Sequence, residues 1–182
     1  CAFVAAGATE KRRGNWAGIG FSGKNIGPEI LRGFRLYFSF LPVIALIVGG
    51  TNLLATWLDL NQVPHPIQNL LADLDGTSFA LAVLVAVIGA PLNEELIFRG
   101  LLLPAMEKLV GVKGAILLSA WFFGAMHLGF HAFIPIFSLG LFLAYLTVTA
   151  PNRSIVASIT AHMIHNSLSL GLFLAAHHAT HS

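Results

Sequence analysis

The chain has 182 residues, 56% of them hydrophobic and only 10% charged, with a mean hydropathy of +0.79. Soluble domains are about 45–50% apolar and about 25% charged, so a chain this short could not hide its apolar surface from water, and a lipid solvent is expected. A net charge of +2 leaves no basic face for nucleic acid, and the single cysteine, Cys1, excludes an internal disulfide framework and a cysteine-based metal site.

The chain opens with "CAFVAAGA" and then "TEKRR". This reads as the tail of a membrane helix meeting a basic cytoplasmic flank, so at least one further helix is expected upstream. A lipidated N-terminal cysteine is the alternative. Residues 1–35 form this flank, and "NIGPEILRGFRLYF" within it is a candidate interfacial helix.

A spanning helix needs about 20 apolar residues. Five runs meet that pattern: Leu36–Leu58, Thr77–Met106, Gly114–Gly129, Ala132–Thr149 and Ser154–Ala176. The connections are short, and "QVPHPIQN", "GVKG", "LGFH" and "APNR" carry helix-ending residues. No strand-like alternation, heptad run or solenoid period is present. The expected fold is therefore all-α: a polytopic transmembrane helical bundle of about five visible spans. Residues 36–176 make the membrane core, and residues 177–182 a solvated tail with His177, His178 and His181.

Lys11, Arg12, Arg13, Lys24, Arg32 and Arg35 precede the first span. Arg99, Lys108 and Lys113 are expected at or near the second-to-third connection, and Arg153 in the fourth-to-fifth. The opposite loops hold Asp59, Asp73 and Asp75 and no basic residue. The basic side is expected to be cytoplasmic.

The odd feature is "NEELIFRG", residues 93–100, inside the second apolar run. If that helix continues to Glu107, Glu94 lies about 20 Å from the cytoplasmic end; a break at Gly100 or Pro104 would reduce this. His127 lies about 20 Å past Lys113, and His162 and Asn166 about 14 and 20 Å past Arg153. Carboxylate, imidazole and amide groups from three helices are thus expected in one layer. Ionisable groups at such depth are expensive, about 2.5–3.5 kcal/mol on insertion scales, and mark function.

Each residue has a plainer reading. Glu95 and Arg99 are spaced i, i+4 and can form a structural ion pair. Glu94 points about 100° away from Glu95 and must find its partner on another helix. His127, closing "FFGAMH", would as a lone histidine be a core residue. Opposite an unpaired carboxylate it becomes an acid–base candidate. His162 and Asn166 share one helix face, while His165 points elsewhere and is expected to pack or to bond a carbonyl. His131 is expected in a loop, because Gly129 and Phe130 suggest that the helix has ended.

This set suits peptide-bond hydrolysis without a serine or cysteine nucleophile. A carboxylate can deprotonate a water held against a histidine, and a second histidine with an asparagine amide can stabilise the oxyanion. Ser119, Ser138 and Ser158 lie in the spans, but no "GxSxG" elbow or Ser/Lys pairing supports a serine enzyme, and "HExxH" is absent.

"EELIFR" at Glu94–Arg99 resembles EExxxR, "FGAMH" at Phe123–His127 resembles FxxxH, and "HMIHN" at His162–Asn166 resembles HxxxN/D. In this order, over about residues 78–170, the chain resembles the CPBP membrane proteins. These are the CAAX prenyl proteases of the second type, with the bacteriocin-processing and abortive-infection proteins. The resemblance implies an intramembrane glutamic endopeptidase open toward the cytoplasm, with no cofactor, acting on a membrane-anchored peptide or protein. It implies that Glu94 and His127 activate water, that His162 and Asn166 form the oxyanion hole, and that Glu95, Arg99 and Phe123 support the site. Two rivals stay open. Glu94, His127 and His162 could ligate Zn²⁺ in a zinc-dependent hydrolase. A non-catalytic immunity protein or a proton-coupled transporter could also use such a set, although no internal repeat of the kind transporters show is present.

Overall fold

The computed structural model describes residues 20, 26–60, 74, 76–127 and 130–181. Every regular element among them is helical. Lipid imposes this, because a helix satisfies its own backbone hydrogen bonds. α1 is Ile26–Trp57, α2 Gly76–Leu84, α3 Ala90–Glu95, α4 Leu103–Met126, α5 Phe130–Thr149 and α6 Val156–His181. Two π-helical segments, Val85–Gly89 and Leu96–Leu102, run α2, α3 and α4 together. A 3₁₀ turn, Pro151–Arg153, leads from α5 into α6.

Four helical runs among the described residues are long and apolar enough to cross a membrane: Ile26–Trp57, Gly76–Met126, Ala132–Thr149 and Val156–Ala179. The chain is a multi-pass, all-α membrane protein. The second run has 51 residues, about 76 Å if straight, against a hydrocarbon layer of about 30 Å. It is not straight. At Gly111 the backbone takes φ 73 and ψ 173, a conformation open to glycine and strained for other residues. The chain folds back there. Phe98 and Phe123, which a straight helix would hold about 37 Å apart, meet edge to face with ring centroids 5.1 Å apart. The expected second and third spans are the two legs of this hairpin, and its turn lies in "GVKG".

Several expectations need correction. The expected interfacial helix and first span are one helix of 32 residues. The long helix does not break at Gly100 or Pro104. Pro91 and Pro104 each sit just after a π segment, where the Ala90 and Leu103 N–H groups bond five residues back, to Val85 and Phe98. The wider turn shifts the hydrogen-bond ladder and makes room for a ring that has no N–H to give. His131 is not in a loop but in the first turn of α5. Arg99 is not a connection charge either, since it is buried in the bundle. The final helix continues through the expected tail to His181. The expectations placed on Lys11, Arg12, Arg13, Lys24, Asp73, Asp75 and the chain start lie outside the described residues.

Tyr37 of α1, Phe98, Phe123 of α4, Leu139, Leu143 and Leu146 of α5 and Ala161 of α6 form one buried cluster. It ties the helices together around the charged segment. Gly33 sets the crossing of α1 on α6: a Cβ there would stand 2.4 Å from the Ala157 carbonyl oxygen. Leu46, Leu53 and Trp57 project outward from α1, as lipid-facing residues do. At one end of the bundle Arg32 caps α5, donating to the Leu146 carbonyl (3.0 Å) and the Thr149 hydroxyl (2.6 Å). Arg153 pairs with Glu107 at 2.8 Å at the same end.

Candidate active site

Glu94 and Glu95 occupy the last turn of α3, a six-residue helix between two π segments. Being adjacent, they diverge by about 100°. Glu94 looks out of the helix toward two imidazoles. Its Oε2 lies 3.6 Å from His162 Nε2 and 4.0 Å from His127 Nε2. It is screened from solvent and accepts no hydrogen bond, although the Glu94 side chain as a whole is 26% exposed.

His127 stands at the end of α4 rather than inside it, with φ −90 and ψ 89. Its ring is fixed by a 2.7 Å hydrogen bond between Nδ1 and the Phe123 carbonyl. A helix leaves its last carbonyls without backbone partners, so this bond uses an acceptor the fold supplies. A carbonyl only accepts, so Nδ1 carries the proton, and the Nε2 of a neutral ring faces Glu94 as an acceptor.

Glu95 turns into the protein and is fully buried, as is Arg99. The pair closes at 2.9 Å, and the same carboxylate oxygen, Oε1, meets His162 Nδ1 at 3.0 Å. Arg99 also donates to the Gly140 carbonyl of α5 at 3.0 Å. Its guanidinium lies 4.6 Å from the centroid of the Phe123 ring. Glu95 and Arg99 are therefore both an ion pair and the backing of His162. Phe123 is the apolar hub, with its ring centroid 4.8 Å from that of His127 and 5.6 Å from that of His162.

The structure thus brings Glu94, His127 and His162 together from three elements, with Glu95, Arg99 and Phe123 behind them. Asn166 is placed differently. It lies one turn beyond His162 on α6, and its amide donates to the Ala86 carbonyl in the first π segment at 2.9 Å. One of its two N–H groups is thereby committed to the backbone. His165 faces α1 and shares a 3.1 Å hydrogen bond with the Tyr37 hydroxyl, where a carbonyl or plain packing was expected.

Glu94, His127 and His162 are suitable zinc ligands by type. Among the described residues, however, no three His, Cys, Asp or Glu side chains converge closely enough to hold a metal ion. Sequence reasoning missed three partners of this site: the Gly140 and Ala86 carbonyls and the Tyr37 hydroxyl. A backbone carbonyl has no sequence signal. Tyr37 sits in the "RLYF" run and marks itself only through its partner.

No characterised protein and no solved structure matches the chain. Residues 76–168, just over half of it, match the family described as type II CAAX prenyl endopeptidase Rce1-like. The matched stretch runs from the start of α2 into α6 and contains every residue of the cluster around Glu94. The chain belongs to the type II CAAX prenyl endopeptidase Rce1-like family, and so to a group of membrane-embedded proteases.

Proposed function

We propose that this protein is an intramembrane glutamic-type endopeptidase, which hydrolyses a peptide bond in a membrane-anchored substrate with a water activated by Glu94 and His127. The observation that carries this is Glu94 Oε2: unpartnered, screened from solvent, and facing imidazoles from two different helices. The 4.0 Å gap to His127 Nε2 is too long for a hydrogen bond and short enough for one water to reach both groups.

Both groups accept, so such a water donates both its hydrogens and turns its lone pairs toward a substrate carbonyl carbon. As the O–C bond forms, Glu94 takes one proton. It returns that proton to the leaving amine nitrogen as the C–N bond breaks. The developing oxyanion needs donors. Asn166 has one N–H beyond the bond to Ala86. His162 keeps a proton on Nδ1 for Glu95, so it donates through Nε2 only as the imidazolium. The buried Glu95 carboxylate supports that charge.

The end bearing Arg32, Arg153, Lys108 and Lys113 is proposed as cytoplasmic and as the side from which substrate enters. Labelling of a cysteine introduced at Lys108 from the outside only would contradict that orientation. The function is tested with full-length protein in nanodiscs and a pool of membrane-anchored peptides, prenylated and not, with and without chelator. Cleavage by the wild type with chelator present, lost in Glu94→Gln, is expected. Loss on chelation with recovery on adding Zn²⁺ would transfer the mechanism to a metal. Undiminished cleavage by Glu94→Gln would remove Glu94 from the reaction.

A further inference from the structure

The buried carboxylate of Glu95 is satisfied on one side only. Oε1 takes both Arg99 and His162, at 2.9 and 3.0 Å, while Oε2 is buried without a partner. Leaving a buried charged oxygen unpaired is unfavourable. It also leaves the carboxylate that fixes His162 held through one oxygen only.

One side chain is in place to complete it. Ser158 lies on α6 one turn before His162, on the same face, and is fully buried. By that spacing its hydroxyl stands one turn along the helix face that presents His162 Nδ1 to the Glu95 carboxylate. From α5, the fully sequestered Thr147 hydroxyl has one hydrogen to give and two acceptors at 3.3 Å, the Leu143 carbonyl and Ser158 Oγ, and it can turn that hydrogen to Ser158. That bond occupies Ser158 as an acceptor and leaves its own hydrogen to be given away. At present it goes to the Ile155 carbonyl at 2.9 Å. A rotation about one bond moves it from a neutral carbonyl to a carboxylate, and hydrogen bonds to an ionised acceptor are roughly twice as strong.

We propose that Ser158, steadied by Thr147, is a positioning residue of this site: its hydroxyl donates to Glu95 Oε2 and fixes the carboxylate that orients His162. The chain of contacts runs Thr147, Ser158, Glu95, His162 and then Glu94, from α5 through α6 to the open side of the site. Ser158 touches no reacting atom and is not a nucleophile. It sets the angle and tautomer of His162 through Glu95, as outer residues do for other functional imidazoles. The consequence for cleavage rests on the endopeptidase reading, whereas the placement of His162 does not.

The test therefore has a readout that needs no substrate. In full-length protein with isotope-labelled histidine, NMR follows the Nδ1–H signal of His162 and its exchange with solvent. Ser158→Ala is expected to shift that signal and raise the exchange rate several-fold, and Thr147→Val to do the same more weakly. Ser158→Thr, which keeps the hydroxyl, is expected to restore the wild-type signal. In a Glu95→Gln background Ser158→Ala is expected to add nothing. If Glu95→Gln does not fold, the contrast between alanine and threonine at 158 decides the matter. An unchanged His162 signal in Ser158→Ala overturns the proposal. So does a change that threonine fails to restore, or one that persists undiminished beside Glu95→Gln, since either would mean loosened helix packing. On peptides that the wild type cleaves, Ser158→Ala should lower kcat several-fold with KM unchanged. If the wild type cleaves nothing while the NMR coupling holds, the endopeptidase reading fails and this one stands.

Discussion

Arg99→Met is the most informative change to the stability of the bundle. Arg99 and Glu95 are both fully buried and meet at 2.9 Å. Methionine fills much of the arginine's volume and removes its charge, leaving the Glu95 carboxylate with His162 as its remaining close partner. Breaking a buried pair by deleting one member typically destabilises by about 3–5 kcal/mol. The Gly140 carbonyl also loses its donor, worth about 1 kcal/mol, and the stacking on Phe123 is lost too. A chain of this size shifts by about 2–4 °C per kcal/mol, so the melting temperature should fall by roughly 10 °C or more. The assay is thermal unfolding in detergent, followed by intrinsic fluorescence. The second arm is the double variant Glu95→Gln with Arg99→Met. With both charges gone, no uncompensated charge remains in the interior, and the double variant should be more stable than Arg99→Met alone. A single variant within about 1 kcal/mol of wild type, the scale of an exposed pair, would refute the reasoning. So would a double variant that is the less stable of the two.

Other consequences follow from single contacts. Gly33→Ala puts a methyl 2.4 Å from the Ala157 carbonyl oxygen, so α1 and α6 must part; a loss of about 1–3 kcal/mol is expected in the same assay. Gly49→Ala, with no neighbouring atom within 4 Å, is its near-neutral control. Tyr37→Phe deletes the hydroxyl bonded to His165 and should lower stability by about 1 kcal/mol, with no loss beyond that if His165 has no part in the chemistry. Asn166→Leu removes the donor to the Ala86 carbonyl and should cost about 1–3 kcal/mol. Glu94→Gln makes no such break, because Glu94 accepts no close hydrogen bond, and its melting temperature should stay near that of wild type even where cleavage is lost.

How much was legible varied by kind of residue. The i, i+4 spacing of Glu95 and Arg99 foretold their pairing, because residues four apart stay on one face of a continuous helix even where its turns widen. The divergence of Glu94 was legible for the same reason. The heights of His127 and His162 were near enough to suggest a shared layer, yet counting residues could not show that His127 sits just beyond the end of α4. Nor could it show that the two π segments rewind the helix on either side of the glutamates. A π turn leaves no composition signal beyond the proline that follows it, and Pro104 read instead as a possible break. Asn166 shared a face with His162, as expected. What that face met, the Ala86 carbonyl, depended on where α2 ran.

The sequence by itself determined that this is a membrane bundle of helices with ionisable groups in its interior. Those conclusions follow from composition and from the 3.6-residue period, which act within one helix at a time. It also carried the three motifs, because their residue types and order need no third dimension. Only the tertiary structure decided that the two legs joined at Gly111 meet through Phe98 and Phe123 and that Arg99 lies in the interior rather than at a connection. It also decided that one oxygen of Glu95 holds both Arg99 and His162. Those outcomes rest on the distances between helices. These are set by close crossings such as Gly33 on Ala157 and by the cluster around Phe123, and no local pattern encodes them.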